Sequence, residues 1–372
     1  MYPTTENPGK PKFASAKGIA HTASMYMTPL PFRPAWWLPH AHLQTLYPTL
    51  LGHLPPAALQ RERLELPDGD FMELGWMTPR QPDAPTVMLI HGLGGNADSH
   101  YVRLLLPLLQ QQGYQGLFLA LRGSGPEPNR LPCSYHSGAS RDLAAVLAIL
   151  KARQALPQAI IGVSLGGNLL LKYLGETAGH DDSGWLRTAV AISVPFRLQD
   201  CSRRLTRGLS GLYGRYILKE LRKMLHDKLA VRGNPLGLDP QRIRTLRQFD
   251  EAVTAPVNGF RDAEDYYRRC SSRPFLAAIR TPTLILHDPH DPFMQPQTVP
   301  ETAELGPGVT LELCAGAGHV GFISGGWPWK PDYWLGQRLL HWLQQQGLSP
   351  THPISAAGHE NRPDQMPAAA RD

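Results

Sequence analysis

Eight short apolar runs punctuate the chain, most of them separated by amphipathic stretches, and this alternation limits the possible folds more than any other feature. RLEL (63–66), FMELGW (71–76), TVMLIH (86–91), GLFLAL (116–121), AIIGV (159–163), AVAISV (189–194), TLILH (283–287) and VTLEL (309–313) have the length and composition of strands. Tyr101–Gln112, Ala139–Arg153, Leu165–Thr177 and Tyr333–Gln346 carry a helical pattern and fill most of the gaps. Strand, helix, strand in series predicts an α/β protein with a mostly parallel central sheet covered by helices on both faces. Only Pro67-Asp68-Gly69-Asp70 separates the first two runs, which predicts an antiparallel hairpin there.

One stretch breaks the alternation. Residues 196–265 are helical in pattern, Arg-rich and without a convincing strand, so they are expected to form a cap inserted between two core segments, 31–195 and 266–348. Within it Tyr213, Tyr216, Ile217, Leu221, Met224 and Leu225 share one helical face, while Arg215, Lys219, Arg222 and His226 share the other. A length of 372 residues suits one large α/β domain with such an insertion. Residues 1–30 and the segment from Ser349 are polar, Pro-rich and aperiodic; they are expected to be a flexible arm and a disordered tail, without chemistry.

Composition excludes several classes. With 42% hydrophobic and 18% charged residues the chain is neither disordered nor supercharged, and 35 Gly without a period exclude collagen. The net charge of +6 is uneven: residues 197–250 hold 13 Lys/Arg against five Asp/Glu. Such confinement argues against general nucleic-acid binding, and no zinc-finger, RRM or KH signature appears. It suits either a solvated helix face or peripheral contact with an anionic lipid surface. No signal peptide or membrane-spanning run is visible. Cys133, Cys201, Cys270 and Cys314 form no CxxC pair, which excludes a disulfide scaffold or zinc knuckle and predicts reduced thiols in the cytoplasm.

The sharpest chemical signal is Gly162-Val163-Ser164-Leu165-Gly166, a G-x-S-x-G turn between an apolar strand and an amphipathic helix. Serine on so tight a turn projects its hydroxyl above the sheet edge, beside backbone NH groups at a helix start. A hydroxyl of high pKa needs a base, and the base needs an orienting carboxylate. In the alpha/beta-hydrolase fold these follow the last two strands; TLILHDPHDPF and CAGAGHVGF stand there and nominate Asp291 and His319, with Asp288 as competitor for the acid. The oxyanion is expected to meet the NH of Leu165 and, from His91-Gly92-Leu93-Gly94-Gly95, that of Leu93. Gly92-x-Gly94-x-x-Ala97 also makes a loose dinucleotide fingerprint, but the acidic residue expected about 20 positions on is missing. HDPHD (287–291) and His40-x-His42 sit in no recognised metal frame; the latter, in LPHAHLQTLYP, is expected to shape a loop near the site. No cofactor or metal is expected.

HLQTLYP, LELPDGDF, HGLGG, RGSGPEPNR, YHSG, GVSLGGN, DAEDYYRRCS, PTLILH with DPFM, and GHVGF together resemble the YheT-like hydrolases, a group of alpha/beta-hydrolase esterases and lipases, over about residues 36–345. The resemblance implies a triad carried onto Ser164, Asp291 and His319, and hydrolysis of carboxylic esters, including acylglycerols or phospholipids in some relatives. One departure is His290, where relatives usually carry an acidic residue or Asn before Asp-Pro-Phe. The same machinery passing its acyl group to an alcohol would make an acyltransferase. A non-catalytic ligand receptor or an NADPH oxidoreductase would leave the serine turn unexplained.

Overall fold

The computed structural model describes residues 31–52, 54–81, 83–179, 184–234 and 237–350. The arm expected over 1–30 lies outside them, as does the expected tail beyond Pro350. Ten strands and their helices follow in order among the described residues: α1 (Ala41–Leu50), β1 (Leu59–Glu65), β2 (Phe71–Met77), β3 (Thr86–Ile90), α2 (His100–Gln111), β4 (Gln115–Ala120), α3 (Ser140–Ala152), β5 (Ala159–Val163), α4 (Leu165–Glu176) and β6 (Thr188–Ile192). Then come five helices, α5 (Leu198–Arg204), α6 (Ser210–Arg232), α7 (Leu246–Phe249), α8 (Ala255–Val257) and α9 (Ala263–Cys270). The chain closes with β7 (Thr283–His287), β8 (Val309–Leu313), β9 (Ile323–Trp327), β10 (Lys330–Tyr333) and α10 (Trp334–Gln345).

Eight strands form one sheet in the order β1-β2-β4-β3-β5-β6-β7-β8, and β9 and β10 form a separate hairpin. β1 pairs antiparallel with β2, and β2 with β4; every neighbour from β4 to β8 is parallel. The expected hairpin is therefore present, closed by hydrogen bonds from Leu66 NH to Asp70 and from Gly69 NH to Leu66. At the open edge β1 exposes the charges of Arg61, Arg63 and Glu65, which discourage a further strand from pairing.

The central strands are apolar throughout because both their faces are covered. Side chains alternate between two cores: Met88, Ile90, Leu117, Leu119 and Ile160 pack on one side with α3 and α4. Val87, Leu89, Phe118, Ile161 and Val163 pack on the other with α2 and α10. The helices between β6 and β7 build an apolar cluster of their own, in which Tyr213, Ile217, Leu221 and Leu225 of α6 meet Leu246, Phe249 and Val253. Tyr216, expected on that same face, instead stands 59% exposed; it lies at the margin of the apolar arc, one turn edge away from the residues that pack.

Two elements differ from expectation. LPHAHLQTLYP, expected as a loop, is helical from Ala41 despite Pro48. Tertiary contact decides this: the buried Gln44 amide donates to Leu38 and Ile323 carbonyls and accepts the Ile323 NH, pinning α1 to β9. The β9–β10 hairpin, GGWPWK at its turn, has too little apolar alternation to be read as strands.

Candidate active site

β5 ends at Val163 and α4 begins at Leu165, so Ser164 alone makes the turn, at φ 52° and ψ −115°. A non-glycine residue held there costs about 1–3 kcal/mol, and the surroundings enforce it. A side chain at Gly162 would lie 2.5 Å from the Gly166 carbonyl oxygen, and one at Gly166 would lie 2.6 Å from the carbonyl oxygens of Ile90 and His91. Both positions exclude a Cβ: Gly162 lets α4 come close to β5, and Gly166 lets α4 come close to the end of β3. The Ser164 NH donates to Ile192 O at 2.8 Å, fixing the turn to β6.

The structure brings Ser164, His319 and Asp291 together although they are far apart in sequence. His319 Nε2 lies 3.1 Å from Ser164 Oγ, and His319 Nδ1 lies 2.7 Å from Asp291 Oδ2. In the neutral tautomer that this pairing selects, Nδ1–H donates to the carboxylate and Nε2 accepts the serine hydroxyl. Asp291 is wholly buried in its side chain, and its other oxygen accepts the Phe293 NH at 2.8 Å. The two loops carrying these residues follow β7 and β8.

Asp288 performs a different task. Its Oδ1 accepts the NH groups of His290 and Gly316 at 2.9 and 3.2 Å, and its Oδ2 accepts that of Gly318 at 2.7 Å. It therefore ties the loop after β7 to the loop bearing His319, without touching the imidazole. Burial pushes its carboxyl above the usual range, against the pull of those NH groups.

Several supports were not evident from sequence. The His319 NH donates to Thr45 Oγ1 at 2.8 Å, whose own hydroxyl donates to Ala41 O at 2.7 Å, so α1 holds the histidine from behind. Phe293 stacks flat on the imidazole, centroids 3.8 Å apart and planes 7° from parallel. Val320 has φ 60°, and its NH bonds Ser193 Oγ at 3.1 Å. His100 Nε2 lies 3.0 Å from Val320 O, and burial lowers the pKa of that histidine to about 4. Thr45 and Phe293 lie inside the segments HLQTLYP and DPFM, but nothing in those letters says that they touch His319.

The expected anion donors flank the serine. The NH of Gly92 donates to the Tyr101 hydroxyl at 3.0 Å and that of Gly94 to the Tyr135 hydroxyl at 2.8 Å. Among the described residues no hydrogen bond engages the Leu93 NH between them, nor the Leu165 NH at the first position of α4. Both residues line the cavity that contains Ser164. His91, buried and lowered to about 4, anchors this loop: its Nδ1 lies 2.7 Å from Gly92 O and its Nε2 takes the Leu121 NH at 3.1 Å.

HDPHD does not converge on a point. His287 is buried against Phe196, Asp288 holds backbone NH groups, His290 is exposed and Asp291 holds His319. His42 Nδ1 meets the Tyr213 hydroxyl at 2.9 Å, joining α1 to α6, and burial lowers its pKa, helped by Arg204. Tyr213 in turn faces Phe293, so an aromatic row runs from His319 outward.

A cavity of about 430 Å³ opens onto Ser164 between the sheet and the helical insertion. Leu93, Leu165, Leu205, Ile217, Leu221 and Phe249 give it an apolar wall; Asn129, Arg130, Lys228 and Arg232 line a polar part. Lys228 Nζ donates to Asn129 Oδ1, Pro132 O and Cys133 O, and burial lowers its pKa to about 8. Arg215, Lys219 and His226 of the basic stripe are exposed and do not line this cavity, while the half-buried Arg222 bonds the Gln241 side chain.

Residues 85–326 match the family described as the alpha/beta hydrolase fold. The protein called "Putative esterase YheT" in Escherichia coli (strain K12) is 38% identical over 86% of this chain and 95% of its own length. Phospholipase ABHD3 of Mus musculus is 30% identical, over 81% of this chain and 75% of its own. A solved bacterial membrane phospholipase A shares the fold at a TM-score of 0.50 and 18% identity, covering 82% of this chain and 91% of that one.

Proposed function

The chain belongs to the esterase- and lipase-type alpha/beta-hydrolase family, and from that premise we propose that it hydrolyses carboxylic esters through Ser164, His319 and Asp291. The observation that carries this reading is the continuous hydrogen-bonded path from Ser164 Oγ through His319 to Asp291. His319 Nε2 takes the hydroxyl proton as Ser164 Oγ attacks the ester carbonyl carbon; Asp291 keeps the imidazole in the right tautomer and stabilises the imidazolium. The carbonyl oxygen, now an oxyanion, is met by the NH groups of Leu93 and Leu165, which no other hydrogen bond engages among the described residues. Collapse expels the alkoxide, which receives the proton from His319 and leaves as the alcohol. Water then attacks the acyl-enzyme with His319 again as base, releasing the acid and restoring Ser164.

An apolar chamber of about 430 Å³ suits a short or medium acyl chain, and the lipid esters implied by the names phospholipase and monoacylglycerol lipase among relatives fit its walls. The insertion of residues 196–265 acts as a cap over it. Its exposed Arg215 and Lys219, with Arg222, would draw the mouth toward anionic lipid. No helix among the described residues is long and apolar enough to cross a membrane, and the four free thiols suit a reducing cytoplasm. The test is a series of p-nitrophenyl and glyceryl esters of increasing chain length, run beside labelling by a fluorophosphonate probe. Hydrolysis with labelling at Ser164 is expected; a folded protein that neither labels nor cleaves any of them would overturn the proposal.

A further inference from the structure

Among the described residues Asp250 is the one acidic residue lining the cavity that contains Ser164. It opens a π-helical turn, Asp250–Thr254, set between α7 and α8, and such irregular turns recur at functional sites. The residue is half-buried and lines the cavity wall. Oδ1 accepts the Thr254 hydroxyl at 2.9 Å and Oδ2 the Tyr267 hydroxyl at 2.7 Å; the Tyr267 oxygen also shares a 3.0 Å hydrogen bond with Ser202. Among the described residues no cation pairs with it, and burial raises its pKa to about 6 against the two hydroxyl bonds.

Pinning a helical turn needs only a neutral acceptor. A carboxylate with no cation paired to it, set among the cavity's apolar residues Leu246, Phe249 and Val253, is a costly way to do it, and groups perturbed in this manner cluster at sites of recognition. A carboxylate offers about four acceptor positions, of which two are filled, leaving room for a further donor. We propose that Asp250 binds a free hydroxyl on the alcohol part of the ester, so that partial esters of polyols are preferred over simple alkyl esters. This deepens the ester-hydrolase reading and rests on it. A hydroxyl adds one more bond of the kind that Thr254 and Tyr267 already make, whereas a cationic group would bring its own desolvation cost into the chamber.

Binding separates the two readings, because it needs no turnover. In the full-length Ser164→Ala protein, calorimetry with 1-O-octylglycerol, an ether that no esterase cleaves, should give a Kd at least about 10-fold lower than with its dimethoxy analogue, the range of a hydrogen bond to a charged group. Adding Asp250→Asn should shrink that preference to within about threefold and leave the dimethoxy Kd unchanged. Equal affinity for the two ethers, a preference that survives Asp250→Asn, or tighter binding of octyltrimethylammonium would each overturn the assignment. If the double variant does not fold, the preference in Ser164→Ala alone should strengthen as pH rises through about 6. Among the described residues the titratable groups interacting with Asp250 are Cys201 on α5 and Tyr266 and Tyr267 on α9, all pushed upward by burial and protonated across that range; elsewhere on the cavity wall burial lowers His136 to about 4 and Lys228 to about 8. A flat preference from pH 5 to 8 would refute the inference. Failure of the ester-hydrolase reading would show separately, as absent hydrolysis of octanoate esters by the unaltered protein.

Discussion

Asp291→Asn and Asp288→Asn, three residues apart on one loop, should fail in opposite ways. Asp291 Oδ2 is the acceptor for His319 Nδ1–H at 2.7 Å. An amide nitrogen there can only donate, so the imidazole would turn its lone pair to Nδ1 and present a proton where it must accept one. By analogy with other serine triads this costs on the order of 10⁴ in kcat, about 5 kcal/mol of transition-state stabilisation. Folding should change little, since the Phe293 NH still meets an oxygen. Asp288 accepts three backbone NH groups with two oxygens. Its amide replacement has one oxygen, so at least one buried NH loses its partner, at about 1–3 kcal/mol, partly offset by removal of a buried charge. Asp288→Asn should therefore lower the urea midpoint while kcat of the folded protein stays within about tenfold. Initial rates with a soluble ester and urea melts on both variants read the two effects independently. A well-folded Asp288→Asn protein that has lost the 10⁴, beside a nearly active Asp291→Asn, would refute the assignment.

Other perturbations follow from the same geometry. Thr45→Val keeps the shape but orphans the His319 NH, so kcat should fall about tenfold with KM nearly constant in steady-state kinetics; a change in KM alone would argue against a positioning role. Reversing Arg215 and Arg222 to Glu should slow hydrolysis of anionic lipid vesicles at low salt and spare a neutral soluble ester, because the attraction is screened over about 8 Å at physiological ionic strength; equal loss on both substrates would point to damaged packing. Asp250 has a folded pKa raised from 3.8 to about 6, so the folded state holds its proton longer and stability declines as pH rises across that window. Asp250→Asn should accordingly be more stable than the parent by about 1–3 kcal/mol at pH 8, with the gain vanishing near pH 4 in chemical denaturation; a variant less stable at pH 8 than at pH 4, relative to the parent, would contradict this.

The strands were legible because parallel strands covered on both faces must be apolar along their whole length, as AIIGV and TVMLI are. The serine turn was legible because a glycine is required where β5 meets α4 and a second where α4 meets the end of β3. Contacts made at long range were not. Gln44 holds α1 to a carbonyl and an NH 279 residues away, and Thr45 supports a histidine 274 residues on. Neither side chain announces its partner in a local pattern, so α1 reads as a loop. Tyr216 reads as part of an apolar face because a helical arc drawn from sequence has soft edges, and packing against α7 selects only its centre. Asp250 offered no signal at all: its interest arises from the cavity around it, which no stretch of sequence describes.

The central claim is that Ser164 is the nucleophile of an ester hydrolase, and its most direct test is covalent labelling followed by site identification. Incubating the unaltered protein and Ser164→Ala with a fluorophosphonate, then locating the adduct by peptide mass spectrometry, should give one modified peptide containing Ser164 in the first and none in the second. Ester hydrolysis should fall in parallel by several orders of magnitude with the melting curve unchanged. Labelling at another residue, or a Ser164→Ala protein that still turns over esters at the parent rate, would contradict the account.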